Sequence, residues 1–302
     1  YRNLAFRILN AIDRVTVVTP HALVACGLLN VIVKWFSYDQ IKSQIDIYLD
    51  YLRRYQAKLS ERLAKDTDSA IEQAFNVYVQ RNFIESHHRI DENLNTETRY
   101  RVIEHRRPIL EYYKNTCAAF FIPAALTAME IMVQEDFHFK AEDLFEGYAF
   151  LREFFKNEFA YNIEKSPEFQ VKENLTVFID LSLIARNPTE SEKFSVSSEG
   201  HRKLKIFANY LKPFFESYWV VLNYFMRNSK NADNPKDRIK KIQARGGRMF
   251  RRHEIENSEA LSKVNYANAV DFFNRKGIKG NEDKERIEFF AKAMQKYMSR
   301  LQ

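Results

Sequence analysis

Hydrophobic positions recur along this chain at helical spacing almost everywhere. Leu4, Ile8, Leu9, Ile12 and Val15 fall on one side of a helix predicted over 4–15. Thr19-Pro20 supplies an N-cap and a first-turn proline to a second helix, predicted to run to about Phe36. Ser37-Tyr-Asp-Gln40 fits a capping box and opens a third helix, with Ile41, Ile45, Tyr48, Leu49 and Leu52 as its stripe. Its outer face carries Arg53, Arg54, Lys58, Glu61, Arg62 and Lys65 and reads as a solvated surface. A helical pattern over 69–80 then gives way to extended patterns at 82–86 and 99–105, joined by the polar loop 88–98: a β-hairpin wing.

The rest of the chain is organised around 106–133. A charged lead-in, Arg106 and Arg107, passes into the aromatic turn Leu110–Asn115 and then into a nearly charge-free run with Pro123 in its middle. Because proline lacks an N–H and disfavours helix in the residue before it, one helix is predicted to end near Phe121 and another to start at Pro123. So apolar a run has to be covered by the rest of the chain, by a partner or by lipid. Further helices are predicted over 140–160, 173–185 and from Gly200 to about Arg227, with a breaker at Asn187-Pro188 and a short strand at 193–197. The polar segment 228–235 reads as a linker, and helices over 236–252, 257–275 and 282–300 finish the chain.

An internal echo links the two halves. Pro20-His-Ala-Leu-Val-Ala25 and Pro123-Ala-Ala-Leu-Thr-Ala128 share P-x-A-L-x-A, 103 residues apart from Pro20 to Pro123. At that offset Ile41, Ile45, Tyr48, Tyr51 and Leu52 fall on Leu144, Tyr148, Leu151, Phe154 and Phe155. The expected fold is therefore mainly α: a multi-helix domain with two short β-hairpin wings, read as two related helix–wing–helix modules. The first covers 1–160 with its wing near 82–105; the second covers 161–302 with the strand near 193–197. Together they are expected to form one continuous domain.

Composition adds bounds. Forty-five per cent hydrophobic and 29% charged residues in 302 describe a folded chain with a substantial core, rich in aromatics with 25 Phe and 16 Tyr. Few glycines and prolines, 7 of each, favour long helices. A net charge of +7 favours anionic partners. Cys26 and Cys117 sit in apolar runs and read as reduced, inert core thiols of an intracellular protein. Residue 1 is Tyr, so the chain is expected to be a piece of a longer one. No apolar stretch reaches the roughly 18 residues a spanning helix needs, leaving contact with a membrane face as the expected relation to lipid.

Several stretches invite chemistry and are weighed against plainer readings. His138-Phe-Lys-Ala-Glu-Asp143 spells H-x-x-x-x-D, the acid–base pair of glycerolipid acyltransferases, but leads into an amphipathic helix with no strand before it, and chance accounts for it. His87-His88-Arg-Ile-Asp91-Glu92 has metal-ligand residue types on a solvated loop with no partner cluster, so no metal site is expected. Lys236–Arg252 carries Arg238, Lys241, Arg245, Arg248 and Arg252 at one-face spacing, a candidate row for phosphates or anionic lipid beside the plainer reading of a solvated face. Gly246-Gly247 is expected to break that helix. Arg106 and Arg107 are candidates for anchoring a phosphate, with a structural ion pair as the plainer alternative.

Taken together, five stretches resemble one family. They are Thr19–Ala25, Leu110–Asn115 with Phe120–Leu126, Phe150–Phe159, Leu211–Val221 and Glu259–Ala269. In order and nearly end to end, they are similar to the C-terminal region of the bacterial and mitochondrial-type glycerol-3-phosphate acyltransferases. The resemblance implies an enzyme making 1-acylglycerol 3-phosphate from glycerol 3-phosphate and an acyl-CoA or acyl-carrier-protein thioester, the first step of phospholipid synthesis. The family's H-x-x-x-x-D and F-P-E-G blocks lie in a preceding domain and are not found here in that context. No catalytic residue and no cofactor are therefore carried over. The resemblance implies a helical companion domain, inactive alone, whose partners are the upstream acyltransferase domain and an anionic membrane surface, cytoplasmic and peripheral to the membrane. Two rival readings are a winged-helix-like nucleic-acid-binding module and a peripheral lipid-binding scaffold.

Overall fold

The computed structural model describes residues 2–31, 33–90, 96–190, 192–229 and 234–301. In chain order the elements are α1 (Arg2–Val15), α2 (Pro20–Asn30), α3 (Tyr38–Arg54), α4 (Glu61–Lys65), α5 (Thr67–Gln80), β1 (Ile84–Ile90), β2 (Thr96–Val102), α6 (Arg107–Asn115) and α7 (Ala118–Met132). They continue with β3 (His138–Lys140), α8 (Phe145–Phe154), α9 (Pro167–Asp180), β4 (Ala185–Arg186), β5 (Lys193–Ser195), α10 (Ser198–Ala208) and α11 (Lys212–Phe225). Last come α12 (Pro235–Arg251), α13 (Lys263–Arg275) and α14 (Lys284–Met298). The fold is mainly α, 67% helical, with two small antiparallel sheets.

Local chemistry sets many of the helix starts. Thr19, Ser37, Ser60, Asp66, Ser166, Ser197, Asn234 and Ser262 each accept a backbone N–H from the first turn that follows, and Ser37 with Gln40 closes the capping box. β1 and β2 pair from Ile84 opposite Val102 to Ile90 opposite Thr96. The second sheet has the order β3-β5-β4, with the Phe139 and Phe194 rings stacked across the pair at 5.5 Å.

Three buried helices collect the others in layers. α2 packs against α3, α5 and α6; α7 packs against α8, α9 and α10; α11 packs against α12, α13 and α14. Elements at equivalent places of the 103-residue echo thus meet in equivalent pairs, α2–α3 beside α7–α8 and α2–α5 beside α7–α9. The buried apolar side chains form a continuous cluster from Val18 to Leu301.

The helix boundaries correct several expectations. α2 stops at Asn30, short of Phe36, because the Asn30 amide donates to the Tyr48 hydroxyl and to the Ile206 carbonyl. The chain then leaves extended at Val31, and Phe36 exchanges backbone hydrogen bonds of 3.0 and 2.8 Å with Tyr100 of β2. The wing strands extend further towards the hairpin tip than expected, although the tip itself lies outside the described residues. The break expected at Phe121–Pro123 falls instead at Thr116–Cys117, where α6 and α7 meet at 95°. α7 runs unbroken through Pro123. Its burial on all sides outweighs the lost backbone bond, and the Pro123 carbonyl is taken by Thr127 Oγ1 at 3.0 Å and Asn174 Nδ2 at 2.9 Å. The segment expected as helix from 140 opens as β3 and a 3-10 turn, and Gly200–Arg227 divides at Asn209–Leu211, ahead of Pro213 in the first turn of α11. Most of the linker candidate 228–235 lies outside the described residues.

Gly246-Gly247 does not break α12, which is continuous to Arg251. Gly246 instead permits a close crossing: a Cβ there would lie 2.1 Å from the Tyr266 hydroxyl oxygen of α13, which is buried without a hydrogen-bond partner. Gly246→Ala is expected to destabilise the fold by about 1–3 kcal/mol. Tyr266→Phe should recover most of that loss when combined with it, a coupling that a double-mutant cycle in urea would measure.

Candidate functional site

The basic row of α12 is dispersed. Lys241, Arg248 and Arg252 are exposed and Arg238 and Arg245 half-buried, while Ile242, Gly246 and Met249 form the inward face. Arg245 turns inward and donates to the Asn223 side chain on α11; burial, with Arg227 and Arg248 nearby, holds it below the usual guanidinium range. Arg252 lies 3.9 Å from Glu254. Arg106 rests over the Phe83 ring at 5.6 Å, with its Nε buried and unpartnered. Arg107 is engaged in an ion pair: its Nε lies 3.0 and 3.1 Å from the two Glu259 carboxylate oxygens and its terminal nitrogen 2.8 Å from Oε1. The five-residue row and the Arg106–Arg107 pair therefore do not converge on one point.

Arg107 and the C-terminal end of α12 do meet at the wall of a cavity of about 720 Å³. α2 contributes Cys26, Leu29 and Asn30; α6 contributes Arg107 and Lys114; Tyr210, Lys212 and Pro213 come from the start of α11 and the turn before it. The loop after α12 closes the remaining side with His253, Glu256 and Asn257. That loop is held by the buried Glu216 carboxylate, which accepts the backbone N–H groups of Glu256 and Asn257 at 2.9 Å each and the Asn257 amide at 3.0 Å. Lys212 pairs with Glu256, and Arg101 with Glu85. Lys114 is buried, its ammonium 4.6 Å from the Tyr210 ring centre. Sequence reasoning passed over Lys114 and Glu216. The available signal for Lys114 was its place beside Leu110 and Cys117 on the inward face of α6.

A second cavity of about 750 Å³ lies against α1, lined by Leu9, Asn10 and Asp13 together with Phe120, Pro123, Phe159 and Tyr161. Glu158, also in its wall, accepts from Asn268 at 3.0 Å on one oxygen while the other is buried without a partner. Burial raises Glu158 to about 7 against the hydrogen bond from Asn268. Burial likewise raises Glu130 of α7 to about 7, against a Tyr297 hydrogen bond.

The remaining sequence candidates have structural duties. Asp143 accepts the Lys140 N–H at 2.7 Å, closing the 3-10 turn, and His138 sits exposed on β3 opposite Ser195. His88 bonds Thr98 across the hairpin at 3.1 Å, and His87 lies 5.9 Å from the Trp35 ring. Asp91 and Glu92 lie outside the described residues. Cys26 and Cys117 are free, buried thiols with sulfurs 3.6 Å apart.

These features define a mainly α domain of aromatic-rich layers, with two small β wings and a cation-lined cavity between its layers. A match to the family described as glycerol-3-phosphate acyltransferase C-terminal region covers residues 1–282, and the chain belongs to that family. It is thus a domain of a glycerol-3-phosphate acyltransferase, an enzyme. No curated protein sequence matches the chain.

Two measurements separate structural from surface charge. Arg107→Met leaves Glu259, with a side chain 1% exposed, as an uncompensated buried carboxylate, and is expected to cost about 3–5 kcal/mol in denaturant unfolding. Arg252→Ala, at an exposed site, should stay within about 0.5 kcal/mol. The second measurement concerns pH. Glu130 and Glu158 ordinarily titrate near 4.5 and are held near 7, so the folded chain keeps protons that the unfolded chain releases between those values. Stability should therefore fall as pH rises from about 4.5 to about 7 and level off above. Glu130→Gln should flatten that slope in thermal melts and be more stable than wild type near pH 8.

Proposed function

We propose that this chain is a non-catalytic helical companion domain, which completes the acyltransferase by docking on the part that carries the reacting groups. The observation that carries this reading is the apolar face of α1. Leu4, Ile8, Leu9, Ile12 and Val15, on one side of that helix, are 62, 53, 42, 52 and 68% exposed. Leaving five such side chains in water forfeits burial worth roughly 1.5–3 kcal/mol each, so a covering surface is favoured. The second cavity continues that face inward through Leu9, giving a partner segment both a ridge and a recess. The first step of phospholipid synthesis takes place at a membrane, and a peripheral cytoplasmic position fits the exposed Lys241, Arg248 and Arg252 of α12.

The reading predicts that residues 1–302 alone do not transfer an acyl group from acyl-CoA to glycerol 3-phosphate, while the enzyme containing the upstream domain does. Turnover by residues 1–302 that His138→Ala abolishes would overturn it. In the longer enzyme, Ile8→Asp with Ile12→Asp is expected to lower activity about tenfold or more and to expose α1 to protease, whereas His138→Ala should leave the rate within about twofold.

A further inference from the structure

The cavity between α2, α6 and α11 contains a cation to which no hydrogen-bond acceptor is supplied among the described residues. Lys114 is 4% exposed, in the last turn of α6. Its ammonium lies against two aromatic faces, 4.6 Å from the Tyr210 centroid and 6.0 Å from that of Phe214. Among the described residues, no carboxylate lies within 4.0 Å of this nitrogen and no acceptor bonds to it. Glu111, one turn earlier, feels the Lys114 charge without reaching ion-pair distance. Ring faces and the carbonyl end of a helix offset part of the burial cost of an ammonium, but they do not replace its water.

Three other cations in the wall are already spent. Arg101 is held by Glu85, Arg107 by Glu259 and Lys212 by Glu256. Lys34, exposed and lining the cavity, marks its mouth and has no acidic partner among the described residues. A deep ammonium and a cationic mouth therefore face one space of about 720 Å³, the size of a small-molecule site. A singly charged carboxylate would match Lys114 and leave the mouth unanswered. A phosphate ester carries up to two negative charges and several acceptor oxygens, enough to answer the ammonium and the mouth together.

We propose that this cavity is an anion site for a small phosphate ester, with Lys114 as its innermost binding group. Nothing in this assignment depends on the companion-domain reading. The phosphate could belong to a free metabolite or to a larger carrier, and the titration distinguishes them.

The test is calorimetric titration of the purified 302-residue chain with inorganic phosphate, glycerol 3-phosphate and coenzyme A in turn, with thermal shift alongside. At least one is expected to bind at millimolar concentration or below and to raise Tm. Tightest binding of glycerol 3-phosphate points to a free metabolite, and of coenzyme A to a carrier. Lys114→Met is expected to weaken the best ligand about tenfold or more. Should that variant fail to fold, Lys34→Glu, at an exposed position, is expected to weaken it about threefold or more while leaving the ligand-free Tm unchanged. Absence of binding by all three ligands, or affinity unchanged in every variant that folds, would overturn the assignment.

Discussion

The whole arrangement depends on covering α7. This helix carries Phe120, Phe121, Ile122, Leu126, Met129, Ile131 and Met132, with alanines between them, and buries all of its circumference instead of one stripe. A helix of that kind cannot lie at a surface, so other elements must surround it. α8, α9 and α10, which follow it in the chain, do so, and rings contributed by α3, from the earlier copy of the echo, close on it: Tyr48 and Tyr51 lie 4.8 and 6.1 Å from Phe121. Sharing those rings joins the two echoing halves into one core. α11 repeats the same solution once more, with Phe215 and Tyr218 joining rings of α13 and α14 around Phe154 of α8, Phe272 edge to face and Phe215 and Phe290 stacked.

A core this apolar admits polar groups only when they are matched. Asn174 donates to Thr127 at 2.8 Å and to the Pro123 carbonyl, and accepts from Tyr51 at 3.3 Å, which fixes α9, α7 and α3 in one register. Ser217 donates to the Ala260 carbonyl at 2.9 Å and ties α11 to the turn before α13. Glu216 organises the loop after α12 through three N–H donors. Glu130 is less well provided for: one of its oxygens is orphaned and the other close to where a Gly147 side chain would stand. That contrast explains why burial governs the titration of Glu130, while backbone donors oppose it at Glu216.

Much of the fold was legible because amphipathic spacing and caps act locally. The Ser37–Gln40 box, the Thr19-Pro20 start and the stripes of α3 and α5 need no knowledge of the rest of the chain. Boundaries set by distant partners were not legible. Asn30 ends α2 because Tyr48 and Ile206 are there to receive its amide, and Pro123 stays inside α7 because surrounding helices bury it. The site shows the same division. The structural reading of Arg107 could be weighed in advance from its place at a helix start, yet Glu259, 152 residues later, could not be named. Glu259 opens one of the five stretches that carry the family resemblance and Arg107 lies just before another, so the ion pair joins segments that only the fold brings together. Glycine was misread for a related reason: Gly246 looks like a helix breaker in isolation and works as a contact point once α13 is present.

The corner at Thr116–Cys117 ties these threads to the cavity. Had α6 continued straight into α7, Lys114 would sit mid-helix with its side chain lying along a longer apolar column. The 95° turn instead ends α6 at Asn115 and brings the Lys114 carbonyl to the Tyr210 hydroxyl at 3.2 Å and to the Cys117 thiol at 3.2 Å. The same turn brings Cys117 against Cys26 of α2, which lines the cavity. A lysine in the final turn of a helix also lies at the carbonyl end of the helix dipole, a favourable place for a positive charge. Geometry that began as a way to bury α7 therefore also fixes where a positive charge can be held inside the domain. That is why the candidate site lies at the joint between layers, away from the solvated basic row of α12 that charge counting alone would select.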